Sequence, residues 1–179
     1  MGKINIAIFG GSFDPPHIGH EKIVQLILEK LDVDILFVVP TFLNPFKKSS
    51  LLSPVQRFNL VKTIFNDYQK VEVLDYEINQ NSPVPTIKTV KYLSNLYDIN
   101  KLYVIIGDDH LASLHLWDSF DELERLVEFV VINRYGSSTS YESIPLKIDI
   151  SSSKLRENMD LVYIPDKIKN EVKKLWKIE

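Results

Sequence analysis

The sequence contains no cysteine in 179 residues. Disulfides, cysteine-ligated zinc or iron–sulfur centres and a thiol nucleophile are therefore excluded, and the absence agrees with a reducing compartment. Long apolar runs are missing too. Ile35 to Pro40 is typical of the longest, far short of the roughly 20 residues needed to span a bilayer as a helix. The opening Met1-Gly2-Lys3-Ile4 passes straight into a strand pattern, without the apolar core and cleavage site of a secretory signal. Basic charge is not in excess, since the formal net charge is −3, so no global field recruits nucleic acid. We expect a cytoplasmic protein with neither nucleic-acid nor membrane partners. If such a chain handles anions, it must gather its cations locally.

What is present is the composition of a folded domain. Hydrophobic residues make up 45% and charged residues 25%, which argues against intrinsic disorder. No repeat or linker divides the chain, so residues 1–179 are expected to form one domain. The sequence is compatible with a homo-oligomer but does not specify one.

Apolar runs alternate with helical patterns. Ile4 to Phe9 reads as a buried strand ending at Gly10-Gly11, and Ile18 to Leu31 has helical spacing. Ile35 to Val39 is a second strand, stopped by Pro40. Ser53-Pro54-Val55-Gln56 is a helix start with a capping box, and the helix should continue through Phe65. Strands follow at Val71 to Leu74, Leu102 to Ile106, Phe129 to Ile132 and Leu146 to Ile150. Helices are expected at Thr86 to Tyr97, from a second capping box at Ser119 to Glu122, at Ser152 to Asn158 and at Pro165 to Trp176. The polar, serine-rich Tyr135 to Ser143 reads as a mobile loop. This alternation predicts an α/β fold with a mostly parallel central sheet flanked by helices. Ligands of such sheets sit beyond the carboxyl ends of the strands.

Chemistry-bearing residues lie at those ends. Gly10-Gly11-Ser12-Phe13-Asp14-Pro15-Pro16-His17-Ile18-Gly19-His20 follows the first strand and opens a helix. Glycine permits a sharp turn and close backbone approach, and a helix N-terminus attracts anions. His17 and His20, three apart, share a face and can donate to phosphoryl oxygens. Neither the dinucleotide fingerprint nor a Walker A loop is present. Ser151-Ser152-Ser153-Lys154-Leu155-Arg156 forms a second anion cradle with a permanent charge on Arg156. Taken singly, the first segment could be a glycine turn with incidental histidines, and the second an ordinary serine cap. Arg134, just after a strand, is well placed for nucleotide contact.

The run from Gly10 to His20 resembles the signature of the HxGH nucleotidylyltransferase superfamily, in the fuller form found in bacterial nicotinate-nucleotide adenylyltransferases. Ile150 to Arg156 is similar to the superfamily's second phosphate motif. The resemblance covers nearly the whole chain, including Tyr163-Ile164-Pro165, and implies a single Rossmann-like domain. It also implies transfer of AMP from ATP to nicotinate mononucleotide, with Mg²⁺ held mainly by phosphate oxygens and no dedicated metal site on the protein. His17 and His20 would be catalytic. Gly10, Gly11, Ser12, Phe13, Gly19, Lys47, Arg134, Ser151, Ser152, Ser153 and Arg156 would line the ATP side. Pro40 to Lys47 resembles the family's P…N-P-x-K loop, with Phe46 where histidine is usual.

On the acceptor side, Gly107-Asp108-Asp109 and Trp117 resemble the G-x-D…W pattern. This assigns a ribose contact to Asp109 and ring stacking to Trp117, although the sequence does not separate Asp108 from Asp109. Thr86-Ile87-Lys88-Thr89-Val90 resembles T-x-[DE]-T-[LI], with Lys88 in place of the acid, and offers Thr86 as a neighbour of the acceptor. Thr86 could equally be a plain helix cap. Arg57 matches a family arginine, or else forms an ion pair on a helix surface. Asp14 is read as a turn-stabilising residue with an outer metal role as its alternative. A nicotinamide-mononucleotide enzyme and a non-catalytic nucleotide-binding module are the competing readings. Pantetheine-phosphate adenylyltransferases usually carry threonine where His17 stands.

Overall fold

The computed structural model describes residues 2–44, 48–148 and 150–178. Six strands form one sheet: β1 (Ile4–Gly11), β2 (Ile35–Pro40), β3 (Val71–Val73), β4 (Ile99–Gly107), β5 (Glu128–Asn133) and β6 (Glu142–Pro145). Their order is β3-β2-β1-β4-β5-β6, and every neighbouring pair is parallel. The order reverses between β1 and β4, which opens a crevice at their carboxyl ends. The α/β expectation holds, and the sheet is parallel throughout its described strands. The helices are α1 (Ile18–Lys30), α2 (Pro54–Phe65), α3 (Tyr76–Asn79), α4 (Thr86–Leu96), α5 (Phe120–Leu126), α6 (Ser152–Asn158) and α7 (Asp166–Leu175), with a 3₁₀ segment at Asp108–Leu116. Among the described residues no helix is long and apolar enough to cross a membrane.

The two-residue period of the strands divides the core. Ala7, Phe9, Leu36, Val38, Tyr103, Ile105, Val130 and Ile132 pack on one face, with apolar residues of α1, α2, α6 and α7. Ile6, Ile8, Phe37, Val39, Val104, Ile106, Phe129 and Val131 pack on the other, with α4, α5 and the 3₁₀ segment. Both faces of β1, β2, β4 and β5 are dry. This is why those strands read as continuous apolar runs rather than alternating ones.

Three sequence expectations are corrected. The sixth strand is Glu142–Pro145, and Leu146 to Ile148 lies outside it. As an edge strand it buries only Ile144, so its Glu142-Ser143 half has the composition of a loop. The segment before it is not loose at its start. The Asn133 carboxamide oxygen accepts from Gly136 N–H and Ser137 N–H, and Asp108 accepts from Arg134 N–H and Tyr135 N–H. The capping box at Ser119 does not form. Ser119 sits at φ 53°, ψ 40°, and its hydroxyl donates to Asp118 instead, at 2.7 Å.

At Ser53 the box is real. Its Oγ accepts from Gln56 N–H at 3.2 Å, and Gln56 Oε1 accepts from Ser53 N–H at 2.8 Å. We therefore expect Ser53→Ala to lower the unfolding free energy by about 1 kcal/mol, while Ser119→Ala changes it by less than about half that. Urea midpoints of the two variants check this contrast.

Candidate active site

The β1–α1 connection is shaped by its glycines and aromatics. A Cβ on Gly11 would meet the Phe13 ring at 3.1 Å, and one on Gly19 would meet the His17 ring at 2.9 Å. Phe13, at φ 48°, is held in left-handed backbone by burial of its ring against Phe9 and His20, with centroids at 5.5 and 4.8 Å. No such crowding explains Gly10, whose Cβ would meet nothing closer than 3.9 Å.

His17 precedes the first residue of α1, and His20 stands in its first turn. Their rings stack at 3.8 Å. His17 N–H donates to His20 Nδ1 at 3.0 Å. With Nδ1 accepting, a neutral His20 must carry its proton on Nε2. The N–H of Ile18, a helix-end donor, is taken up by the Tyr163 carbonyl at 3.0 Å. Burial, followed by the Arg134 charge, pushes the His17 pKa down to about 3. Burial also holds His20 well below its usual value, with further lowering from His17 and Arg134. Both imidazoles are thus neutral near pH 7.

Beneath this loop runs a polar brace. The Arg57 side chain is buried, and its guanidinium donates to the carbonyls of Ser12 and Phe42, both at 2.6 Å, and of Leu52 at 3.2 Å. Neither an ion pair on a helix surface nor a ligand contact describes it. It ties the β1–α1 connection to the segment after β2. Burial lowers its pKa, and the nearby Asp14 carboxylate opposes that shift. Asp14 accepts from Leu51 N–H at 2.8 Å and Leu52 N–H at 2.9 Å, which is the turn-stabilising arrangement. Arg156 donates to the Asp14 carbonyl at 2.5 Å and to Ser153 Oγ at 3.1 Å. The serines divide the remaining work. Ser151 Oγ caps α6 through Lys154 N–H, and Ser152 Oγ donates to the Pro15 carbonyl at 3.0 Å.

The structure separates the adjacent acids. The Asp108 side chain is buried, and its Oδ2 accepts from Arg134 N–H, Tyr135 N–H and Ser137 Oγ. The Asp109 side chain is half exposed and pairs with Arg134 Nη2 at 2.6 Å. Trp117 ends the 3₁₀ segment, and its buried Nε1 has no partner. Thr86 opens α4 with Pro85 in the cap position, so its hydroxyl is not committed to capping.

A cavity of about 710 Å³ lies at the carboxyl ends of β1 and β4, within the usual range for small-molecule sites. Gly10, Gly11, Ser12, Phe13, His17, Gly19, His20, Ser151, Ser152 and Ser153 line one side. Thr86, Asp109, Trp117 and Arg134 also line it. Of the residues singled out from sequence, Arg156 stays behind the wall as a brace, and Lys47 lies outside the described residues. Among the described residues no group of three or more His, Asp or Glu could hold a metal ion.

Glu77, another lining residue, was not legible in the sequence. It lies on α3, which is too short to show a period. Its side chain is buried, Oε1 accepts from Thr89 Oγ1 at 2.7 Å, and Oε2 has no partner. Burial pushes its pKa up from 4.5 to about 7, partly offset by the Thr89 bond. The folded state therefore binds this proton more tightly than the unfolded state, and Glu77 lowers stability as pH rises through that window. Glu77→Gln keeps the acceptor for Thr89 without the charge. Its melting temperature should exceed that of the parent by several degrees at pH 8 and match it near pH 4.5, as calorimetry at the two pH values would show.

Residues 8–158 match the family described as cytidylyltransferase-like. A Campylobacter jejuni protein named "Probable nicotinate-nucleotide adenylyltransferase" is 47% identical over 175 residues, covering 97% of both chains. An Aliarcobacter butzleri protein of the same name is 45% identical over 178 residues, covering 97% of this chain and 98% of its own. In fold, the chain resembles a Plasmodium falciparum nicotinic acid mononucleotide adenylyltransferase solved in complex with NaAD. That likeness has a TM-score of 0.82 at 23% identity and covers 99% of this chain and 97% of the other.

Proposed function

The chain belongs to the nicotinate-nucleotide adenylyltransferases of the cytidylyltransferase-like family, and from that premise we propose how its residues carry the reaction. The protein transfers AMP from ATP to nicotinate mononucleotide, giving nicotinate adenine dinucleotide and pyrophosphate. A 5′-phosphate oxygen of the acceptor attacks the α-phosphorus in line, and the bond from the α-phosphorus to the bridging oxygen breaks. The acceptor phosphate is ionised at neutral pH, so no protein base or nucleophile is required. Catalysis then rests on positioning and on stabilising the charge that gathers on the leaving pyrophosphate.

The observation that carries this reading is the stacked pair of neutral imidazoles at the start of α1, facing the same cavity as the Ser151–Ser153 turn. Phosphate charge arriving here raises the pKa of both rings and turns them into stronger donors. His20 Nε2–H is the donor to the phosphates, with His17 beside it. The glycine loop and the serine turn offer backbone N–H groups to the remaining phosphate oxygens. Arg134 and Lys47 supply positive charge, while Arg156 holds the loop in place. On the acceptor side, Asp109 takes the ribose, Trp117 offers its ring face to the pyridine, and Thr86 lies beside the acceptor. Mg²⁺ accompanies ATP, held by phosphate oxygens and water, and its role is to neutralise triphosphate charge. Residues 1–179 act as one catalytic domain. The lack of cysteine supports work in the cytoplasm.

Pyrophosphate release with ATP and Mg²⁺ tests the acceptor. We expect nicotinate mononucleotide to be preferred over nicotinamide mononucleotide and phosphopantetheine when the three are compared side by side. A preference for either of the others would remove the acceptor-side assignments. His20→Ala should lower turnover about a hundredfold or more, equivalent to roughly 2.7 kcal/mol of lost transition-state stabilisation. Turnover close to that of the parent would remove His20 from the mechanism.

A further inference from the structure

Glu77 is buried at a cost in stability. One oxygen of its carboxyl has no partner, and burial favours its neutral form. Groups kept against stability concentrate at functional sites. Glu77 lies on α3, and its Oε1 accepts from Thr89 Oγ1 on α4 at 2.7 Å. Thr89 is wholly buried. It stands three residues after Thr86, so the two side chains share one face of the helix. Thr86 is the first residue of α4 and lines the cavity. Pro83 and Pro85 carry no N–H, which removes two backbone donors from the connection that leads into this helix. A second contact joins the same two helices, the Tyr76 and Tyr92 rings stacking at 4.1 Å. Tyr92 is six residues beyond Thr86, so this contact sets the approach of the helices further along α4, and the Glu77–Thr89 bond acts at its first turn.

We propose that Glu77 is a positioning residue for the acceptor: through Thr89 it holds the first turn of α4, and with it Thr86, at the wall of the cavity. This rests on the function proposed above, in which Thr86 lies beside the acceptor. The bond is made away from water, where a hydrogen bond is electrostatically stronger. Thr89 is not among the described residues that line the cavity, so its influence on a substrate passes through the helix on which it stands. The glycine loop after β1 and the Ser151–Ser153 turn belong to other elements. The ATP side therefore keeps its geometry when the Glu77–Thr89 bond is lost.

Steady-state kinetics with both substrates varied separates this role from a general loss of structure. Thr89→Val keeps the size of the side chain and removes its hydroxyl. It should raise the KM for nicotinate mononucleotide about tenfold, while kcat and the KM for ATP stay within about twofold of the parent. Glu77→Ala should do the same. The double variant should be no worse than either single one, because all three lack the same bond. Thr89→Ser retains the donor and Glu77→Gln retains the acceptor, so both should bring the KM back to within about twofold of the parent. If Thr89→Val leaves the KM for nicotinate mononucleotide unchanged, or raises both KM values alike, the bond does not position the acceptor. If the effects of Thr89→Val and Glu77→Ala add in the double variant, or if the conservative variants do not restore the KM, the proposal is equally lost, while the proposed function stands. If the parent does not turn over nicotinate mononucleotide, the functional reading fails and takes the proposal with it.

Discussion

Arg57 carries a guanidinium into the interior and leaves no nitrogen of it idle. Its bonds to the carbonyls of Ser12, Phe42 and Leu52 offset the loss of water around a permanent charge. Those three carbonyls belong to the connection after β1, the segment after β2 and the residue just before the Ser53 cap. One buried cation thereby fixes the relative positions of segments that a parallel sheet leaves at its carboxyl edge. Asp14 completes the arrangement by accepting from Leu51 and Leu52, while Arg156 ties α6 to the same loop. The glycines and histidines of the β1–α1 connection depend on this brace for their positions.

The site built on that frame holds its charge in reserve. Its histidines are neutral because they are buried, and Arg134 is occupied by Asp109. The free protein thus avoids a concentration of unpaired positive charge. In the proposed reaction, charge becomes available when phosphate supplies a reason for protonation or a new partner. Such a design keeps the donors preorganised, so that little rearrangement is required as the bond to pyrophosphate breaks.

Much of the fold was legible because it rests on local rules. Buried parallel strands are short apolar runs, and β1, β2, β4 and β5 all read that way. Ser53 and Gln56 form their capping box through contacts within four residues. The misreadings occur where a competing partner, adjacent or distant, overrides the expected pattern. Ser119 has the residues of a capping box, but Asp118 takes its hydroxyl and the backbone turns left-handed. Glu142-Ser143 has the polarity of a loop, but β5 offers it an open edge to pair with. Arg57 looks like any helix-surface arginine until three carbonyls from separate segments converge on it.

The site divides in the same way. Glycines, histidines and serines placed at strand ends point to phosphate chemistry through their order and their match to a family signature, since steric permission and hydrogen-bonding capacity belong to the residue types and each segment taken singly also reads as a plain turn or cap. Burial and partnership belong to the assembled chain. The sequence could not say that Asp108 anchors a turn while Asp109 faces the cavity, because the two differ only in which way the backbone after β4 points them. Nor could it reveal Glu77, whose carboxyl pKa is raised by a burial that no local pattern announces. The order of residues determined the family, the sheet and the glycine- and histidine-bearing loop after β1. Only the tertiary structure decided which charges are buried, paired or free, because the local dielectric and the neighbouring charges exist only once the segments have packed together.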